Sequence, residues 1–229
     1  MPSLVLLRHG ESAWNAEDRF TGRVDVDLTP RGEDQARRCG VLLREAGLVP
    51  DRSHTSTLTR AVRTGALALA AAGRPLVPAR QDERLDERGY GALEGLTRGE
   101  VRDRHGSAQY QRWRRSWDAA PPPAFRGGVR RTGESLADVA ARLRPCWEDA
   151  LAPDLRAGHT VLVTAHSNSL RALIALLDQL GPEEVLDLEV PIATPLHYAL
   201  DGHLRPLVPG GRYVRHDPLP RGSGPAIHP

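Results

Sequence analysis

Two histidines each follow a short apolar run. His9 sits in Arg8-His9-Gly10-Glu11-Ser12 after Leu4-Val5-Leu6-Leu7, and His166 in Ala165-His166-Ser167-Asn168-Ser169 after Thr160-Val161-Leu162-Val163. A neutral imidazole is a competent nucleophile near neutral pH, because its unperturbed pKa is about 6.5. Attack on a phosphate ester gives a phosphohistidine and splits one displacement into two. The transferring group carries spread negative charge, so the site must supply fixed positive charge and hydrogen-bond donors. Arg8 and Arg60 offer guanidiniums, and His166 adds a donor opposite the nucleophile. With these groups a metal is unnecessary, and no carboxylate cluster with Mg²⁺ spacing stands out. A proton must also be handled on the substrate oxygen. Glu87, in the glycine-punctuated stretch Leu85-Asp86-Glu87-Arg88-Gly89-Tyr90-Gly91, is the candidate general acid and base. Taken alone, the local sequence favours the plainer reading of Glu87, a solvated loop residue paired with Arg88.

The elements around these residues give them a place. The two apolar runs are the pattern of strands buried on both faces. Thr29-Pro30 reads as an N-cap followed by proline at the first helical position. Ala36, Cys39, Leu43 and Ala46 then share one helical face, and Gly47 is the stop. Leu58, Ala61, Val62, Gly65 and Leu69 mark a second helix, and Leu136, Val139, Ala140, Leu143 and Trp147 a third, kinked at Pro145. Leu170, Leu173, Ile174 and Leu177 mark a fourth. Strands alternating with helices predict an α/β fold with a doubly wound, mainly parallel central sheet and helices on both faces. In such sheets ligands bind outside the carboxyl ends of the strands, where both histidines fall. Ala119 to Thr132, with its proline triplet and Gly127-Gly128, reads as a surface loop. Residues 1–221 read as one catalytic domain and 222–229 as a mobile tail.

Composition narrows the partners. A formal net charge of +2 over 229 residues gives no argument for nucleic acid or an anionic membrane. All 31 basic residues are arginine, so placement rather than abundance has to identify a site. Cys39 and Cys146 lie far apart, which fits reduced core thiols and neither a disulfide framework nor a zinc site. No apolar run reaches the ~18 residues of a membrane span, and the N-terminus lacks a secretory pattern; a cytoplasmic protein is expected. Arg112-Trp113-Arg114-Arg115-Ser116-Trp117 has the basic–aromatic mixture of a single-strand binder. It also reads as a helix with Trp113 and Trp117 packed inward, leaving Arg114 and Arg115 to reach a small anion.

Several motifs together resemble the 2,3-bisphosphoglycerate-dependent phosphoglycerate mutases of the histidine phosphatase superfamily. They are Arg8 to Ser12, Asn15, Arg19-Phe20-Thr21-Gly22, Thr55-Ser56 with Arg60-Ala61, Leu85 to Gly95, Trp113-Arg114-Arg115 and His166 to Arg171. The resemblance runs from Leu4 to about Pro209. It implies interconversion of 3-phosphoglycerate and 2-phosphoglycerate, primed by 2,3-bisphosphoglycerate and without a metal, in a homodimer. Carried over, it makes His9 the phosphorylated nucleophile and Glu87 the proton donor and acceptor, with Arg8, Arg60 and His166 holding the phosphoryl group. Gly10, Glu11, Ser12, Asn15, Thr21, Gly22, Arg88, Tyr90, Arg98, Arg114, Arg115, Ser167 and Asn168 would line the substrate site.

The chain also departs from the family pattern. Gly89 stands where histidine is usual, Ser167 where glycine is, Arg23 where tryptophan is and Arg98 where lysine is. The stretch from Ala119 to Thr132 is shorter than in most members, and the end lacks their lysine-rich tail. A small, flexible tail covers a phosphohistidine poorly, so more hydrolysis is expected than in a typical mutase. Two other readings stand beside the mutase: a phosphomonoesterase using the same nucleophile, and a sensor or scaffold that has lost catalysis. Arg88, Tyr90, Arg98 and the Arg114-Arg115 pair favour the mutase, because a second anionic group needs partners, whereas the altered tail and Gly89 favour the phosphomonoesterase.

Overall fold

The computed structural model of the chain describes residues 1–126 and 128–215. The expected tail at 222–229 lies outside them. The run after Met1-Pro2 forms β1 (Ser3–Arg8), which pairs in parallel with β6 (Thr160–Ala165) and antiparallel with β7 (Leu196–Ala199). The sheet is completed by β2 (Arg52–Thr55), β3 (Ala79–Gln81) and β8 (Arg212–Tyr213), in the order β3-β2-β6-β1-β7-β8. Strands β3, β2, β6 and β1 are mutually parallel, and β7 and β8 close one edge antiparallel. The expected mainly parallel sheet is what forms.

Side chains alternate across a strand, so each central strand serves two cores. Leu4, Leu6, Val161 and Val163 pack on Leu136, Val139 and Leu143 of α5 (Leu136–Cys146) and Leu170 and Leu173 of α7 (Ser167–Asp178). Val5, Leu7 and Leu162 face the other way. They meet Cys39 and Leu43 of α2 (Pro30–Glu45) and Ala68 and Leu69 of α3 (Thr59–Ala71). Helices therefore cover both faces. Thr29 caps α2 as its sequence predicts, its side chain accepting the Gly32 N–H at 3.0 Å. The short helices are α1 (Ala13–Ala16), α6 (Ala152–Arg156) and α8 (Pro182–Leu186).

Two expectations change. The segment from Ala119 to Thr132 is not all loop, because β4 (Ala124–Arg126) and β5 (Val129–Arg131) pair antiparallel. Arg126 stands opposite Val129, and Gly128, just before β5, adopts φ +75°. Trp113 and Trp117 do not share one helix. α4 (Arg98–Arg115) bends at Gly106 and ends before Ser116. Trp113 packs with Phe20, Leu93, Val101 and Tyr110 in a third cluster, while Trp117 rests on the α5–α7 core. Pro145 lies inside α5, and a π-helical turn, Trp147–Leu151, follows it.

Leu6 is 1 % exposed and anchors the strand that carries His9. Leu6→Ala should lower the unfolding free energy by about 2–5 kcal/mol, as for other buried leucines. Removing the cap, Thr29→Ala, should cost only about 1 kcal/mol. Urea unfolding of the two variants would separate these effects.

Candidate active site

β1 and β6 lie side by side in register, Arg8 opposite Ala165. The His9 N–H then donates to the Ala165 carbonyl at 3.0 Å, so the chain leaves both strands together. The His9 and His166 rings come to 5.0 Å between centroids, tilted by 59°. The His9 Nδ1 lies 2.7 Å from the Gly10 carbonyl. A carbonyl only accepts, so Nδ1 carries the proton and Nε2 keeps its lone pair. His166 Nε2 is 2.7 Å from Ser56 Oγ, which also accepts the Leu58 N–H at 3.0 Å.

Both imidazoles are buried, with His9 3 % and His166 0 % exposed. Burial first, and then the nearby guanidiniums of Arg60 and Arg8, push both well below the ordinary histidine range. Arg60, at the start of α3, is fixed by donating to Val24 O at 2.9 Å and Gly22 O at 2.8 Å. Gly22 has φ +54°, and a Cβ there would stand 2.2 Å from Glu94 Oε1, so only glycine permits this anchor. Arg8 reaches across to Val190 O at 2.8 Å.

A cleft of about 310 Å³ opens on His9. Of the residues singled out by sequence, Arg8, His9, Asn15, Thr21, Gly22, Arg60, Glu87, Tyr90, Arg98, Arg114, Arg115, Ser167 and Asn168 line it. Glu87 Oε1 accepts the Arg88 N–H at 2.8 Å and both the main-chain N–H and side-chain amide of Asn168, at 3.2 and 3.3 Å. The carboxylate thus faces the N-terminus of α7, where a negative charge is favoured. Asn168 Nδ2 also donates to the Tyr90 hydroxyl at 3.0 Å. Arg114 donates to Tyr110 OH at 3.0 Å, Arg115 to Leu186 O at 2.7 Å, and Arg98 pairs with Asp18.

Five predicted residues lie off the cleft wall. His166 is fully buried, its ring against that of His9. Gly10 donates its N–H to Thr64 and packs on the Gly32 backbone. Glu11 turns to α2, accepting from Thr29 Oγ1 at 2.9 Å and pairing with Arg31. Ser12 caps α1 and donates to Asn15 Oδ1 at 2.9 Å. Arg88 is 1 % exposed and donates to the main-chain carbonyls of Glu134 and Ala119. Conversely, Arg19, Phe20, Arg171 and the stretch Leu188-Glu189-Val190-Pro191 line the cleft without having been selected. Arg19, Phe20 and Arg171 lay inside motifs already recognised. The 188–191 stretch has no chemical signature, and only the fold brings it there.

Arg8 Nε, Arg60 Nε and Thr21 Oγ1 are buried polar atoms of cleft residues without a hydrogen-bond partner among the described residues. Together with Arg98, Arg114, Arg115 and Arg171 they make a wall of donors suited to a ligand with several anionic groups. Among the described residues no His, Cys, Asp and Glu cluster could hold a metal ion, and no helix is long and apolar enough to cross a membrane.

Because His9 and His166 bind protons less readily folded than unfolded, stability is complete above about pH 6.5 and falls as the pH drops below it. Together they contribute a slope of up to about 2.7 kcal/mol per pH unit. Urea unfolding of the His166→Gln variant below about pH 6.5 should show a slope shallower by about one proton.

The wider comparisons agree with this geometry. The family described as histidine phosphatase superfamily (branch 1) matches residues 4–203. A 2,3-bisphosphoglycerate-dependent phosphoglycerate mutase of Nocardioides sp. is 48% identical, over 93% of this chain and 92% of its own. The protein of that name from Mycobacterium tuberculosis is also 48% identical, over 98% and 95%. Among solved structures, a mycobacterial glucosyl-3-phosphoglycerate phosphatase superposes with a TM-score of 0.73 at 30% identity, covering 87% of this chain and 93% of its own. YhfR of Bacillus stearothermophilus gives 0.73 at 27% identity, over 92% and 97%. A buried histidine pair at the carboxyl ends of adjacent parallel strands, ringed by arginines, sits on a chain that matches these proteins almost end to end; the chain belongs to branch 1 of the histidine phosphatase superfamily and, within it, to the family of the 2,3-bisphosphoglycerate-dependent phosphoglycerate mutases.

Proposed function

We propose that the protein interconverts 3-phosphoglycerate and 2-phosphoglycerate through a phosphohistidine at His9. The observation that carries this reading is a buried, neutral imidazole whose Nδ1 is committed to Gly10 O, in a cleft with arginines on more than one wall. One group of cations, Arg8 and Arg60, lies beside the nucleophile. A second group, Arg98, Arg114 and Arg115, comes from the two ends of α4. A simple phosphomonoesterase needs only the first group. A substrate that must also present a carboxylate or a second phosphate uses both.

His9 Nε2 attacks the phosphorus, an N–P bond forms and the ester P–O bond breaks. Glu87 gives a proton to the departing oxygen, and in the return step it takes a proton from the accepting hydroxyl. Arg8 and Arg60 offset the charge spread over the equatorial oxygens, and His166 supports them from behind His9. Asn168 holds the Glu87 carboxylate in place through two bonds. 2,3-Bisphosphoglycerate supplies the phosphoryl group that primes His9, and the orphaned donors of Arg8, Arg60 and Thr21 fit such a polyanion. The reading places the enzyme in the cytoplasm, and the family resemblance suggests a homodimer.

The hydrolytic alternative gains support from the likeness to a phosphatase among solved structures. Following 2-phosphoglycerate and free phosphate together, from 3-phosphoglycerate with trace 2,3-bisphosphoglycerate, distinguishes the two. Isomer should exceed phosphate, and phosphate without isomer would overturn the mutase reading. Glu87→Gln should lower kcat by roughly 10²–10⁴-fold, the usual worth of a general acid. His9→Ala should abolish both products. Arg114→Ala should act mainly through KM for 3-phosphoglycerate.

A further inference from the structure

Two departures from the family pattern, Gly89 and Arg23, meet at one carboxylate, and a third, the segment from Ala119 to Thr132, lies against Gly89. Gly89 donates its N–H to Glu134 Oε2 at 2.7 Å, and the Glu134 N–H returns a bond to Gly89 O at 2.8 Å. Arg23 reaches Glu134 Oε1 at 3.0 Å. The segment from Ala119 to Thr132 runs against Gly89, where a Cβ would stand 2.5 Å from Thr132 O. No side chain fits at 89 while that backbone is present.

Glu134 has a further partner. Arg142 Nε donates to Glu134 Oε1 at 2.9 Å, and Arg142 Nη2 donates to Asp86 O at 2.8 Å and Glu87 O at 3.3 Å. A third carbonyl, Arg84 O, accepts from Nη1 of the same guanidinium. One fork therefore holds three carbonyls on both sides of Glu87, and one carboxylate fixes the fork. Burial is the largest single effect and opposes ionisation of Glu134, but the bond and charge of Arg142, the Gly89 N–H and the charge of Arg23 together outweigh it and hold the carboxyl below its ordinary range. Glu134 is absent from the cleft wall.

We propose that Glu134 is a positioning residue for Glu87, acting through Gly89 and the Arg142 fork to set the carboxylate's distance from the leaving oxygen. The proposal rests on Glu87 being the proton donor. It predicts that loss of Glu134 is felt only where a proton must be delivered. An alkyl phosphate needs that proton because its alcohol is a poor leaving group. p-Nitrophenyl phosphate does not: the His9 Nε2–phosphorus bond forms while nitrophenolate leaves with the bonding electrons.

The test compares Glu134→Gln with Glu87→Gln in two reactions, phosphorylation of His9 by 2,3-bisphosphoglycerate and by p-nitrophenyl phosphate. Glu134→Gln should slow the first at least tenfold, with KM for 2,3-bisphosphoglycerate within about threefold, and slow the second less than twofold. Adding Glu134→Gln to Glu87→Gln should cause little further loss, since both act on one proton. Arg142→Lys keeps the charge but not the fork; it should reproduce the pattern and gives a second reading should Glu134→Gln fold poorly. Equal slowing of both reactions would make Glu134 a structural residue only and overturn the proposal. The mutase reading fails separately, if the unaltered protein makes no 2-phosphoglycerate. A Glu87→Gln variant equally slow with both phosphates would remove the premise.

Discussion

The short bond between His9 Nδ1 and the Gly10 carbonyl constrains everything around it. It chooses the tautomer, leaves Nε2 as the nucleophile and fixes the ring against its own main chain. The bond can form only where the chain turns away from β1, one residue past its last pairing with β6. Keeping the ring neutral then requires burial and nearby cations, and these cations have to be held without bringing carboxylates to the imidazole. The protein does this with carbonyls. Arg60 is anchored by Gly22 and Val24, and Arg8 by Val190, so each keeps its charge available to a ligand.

The same device builds the far wall of the cleft. Leu186 O accepts from both Arg115 and Arg171, Val185 O from Arg171, and Val190 O from Arg8. Three arginines thus tie residues 185–190 to the site from three different elements. Arginine suits this role because one planar head can bond a carbonyl with one nitrogen and present the others to an anion. Arg171 extends the network inward by donating to Asn168 Oδ1, which orients the Asn168 amide toward Glu87 and Tyr90.

Much of this was legible in the sequence, for reasons that follow from periodicity. Leu4 to Leu7 and Val161 to Val163 lack alternation because both faces of their strands are covered, and that pattern located both histidines. Thr29-Pro30 and Gly47 delimited α2 by local chemistry. Glu11, Ser12 and Arg88 were expected at the substrate but are not on the cleft wall, because adjacency to a motif does not set the direction of a side chain. Glu11 turns toward α2, and Arg88 toward the 119–134 segment. The hairpin within that segment, the 188–191 wall and the meeting of Arg23, Gly89 and Glu134 depend on contacts between distant parts of the chain. No local pattern encodes them.

The central claim is that phosphoryl transfer passes through one nitrogen of one residue. Incubation with 2,3-bisphosphoglycerate, followed by digestion at alkaline pH and NMR assignment of the phosphorylated peptide, tests it directly. A single phosphoryl group on His9 Nε2 is the predicted result. Label on His9 Nδ1, on His166 or on a hydroxyl residue, or no label at all, would contradict the chemistry derived from the site.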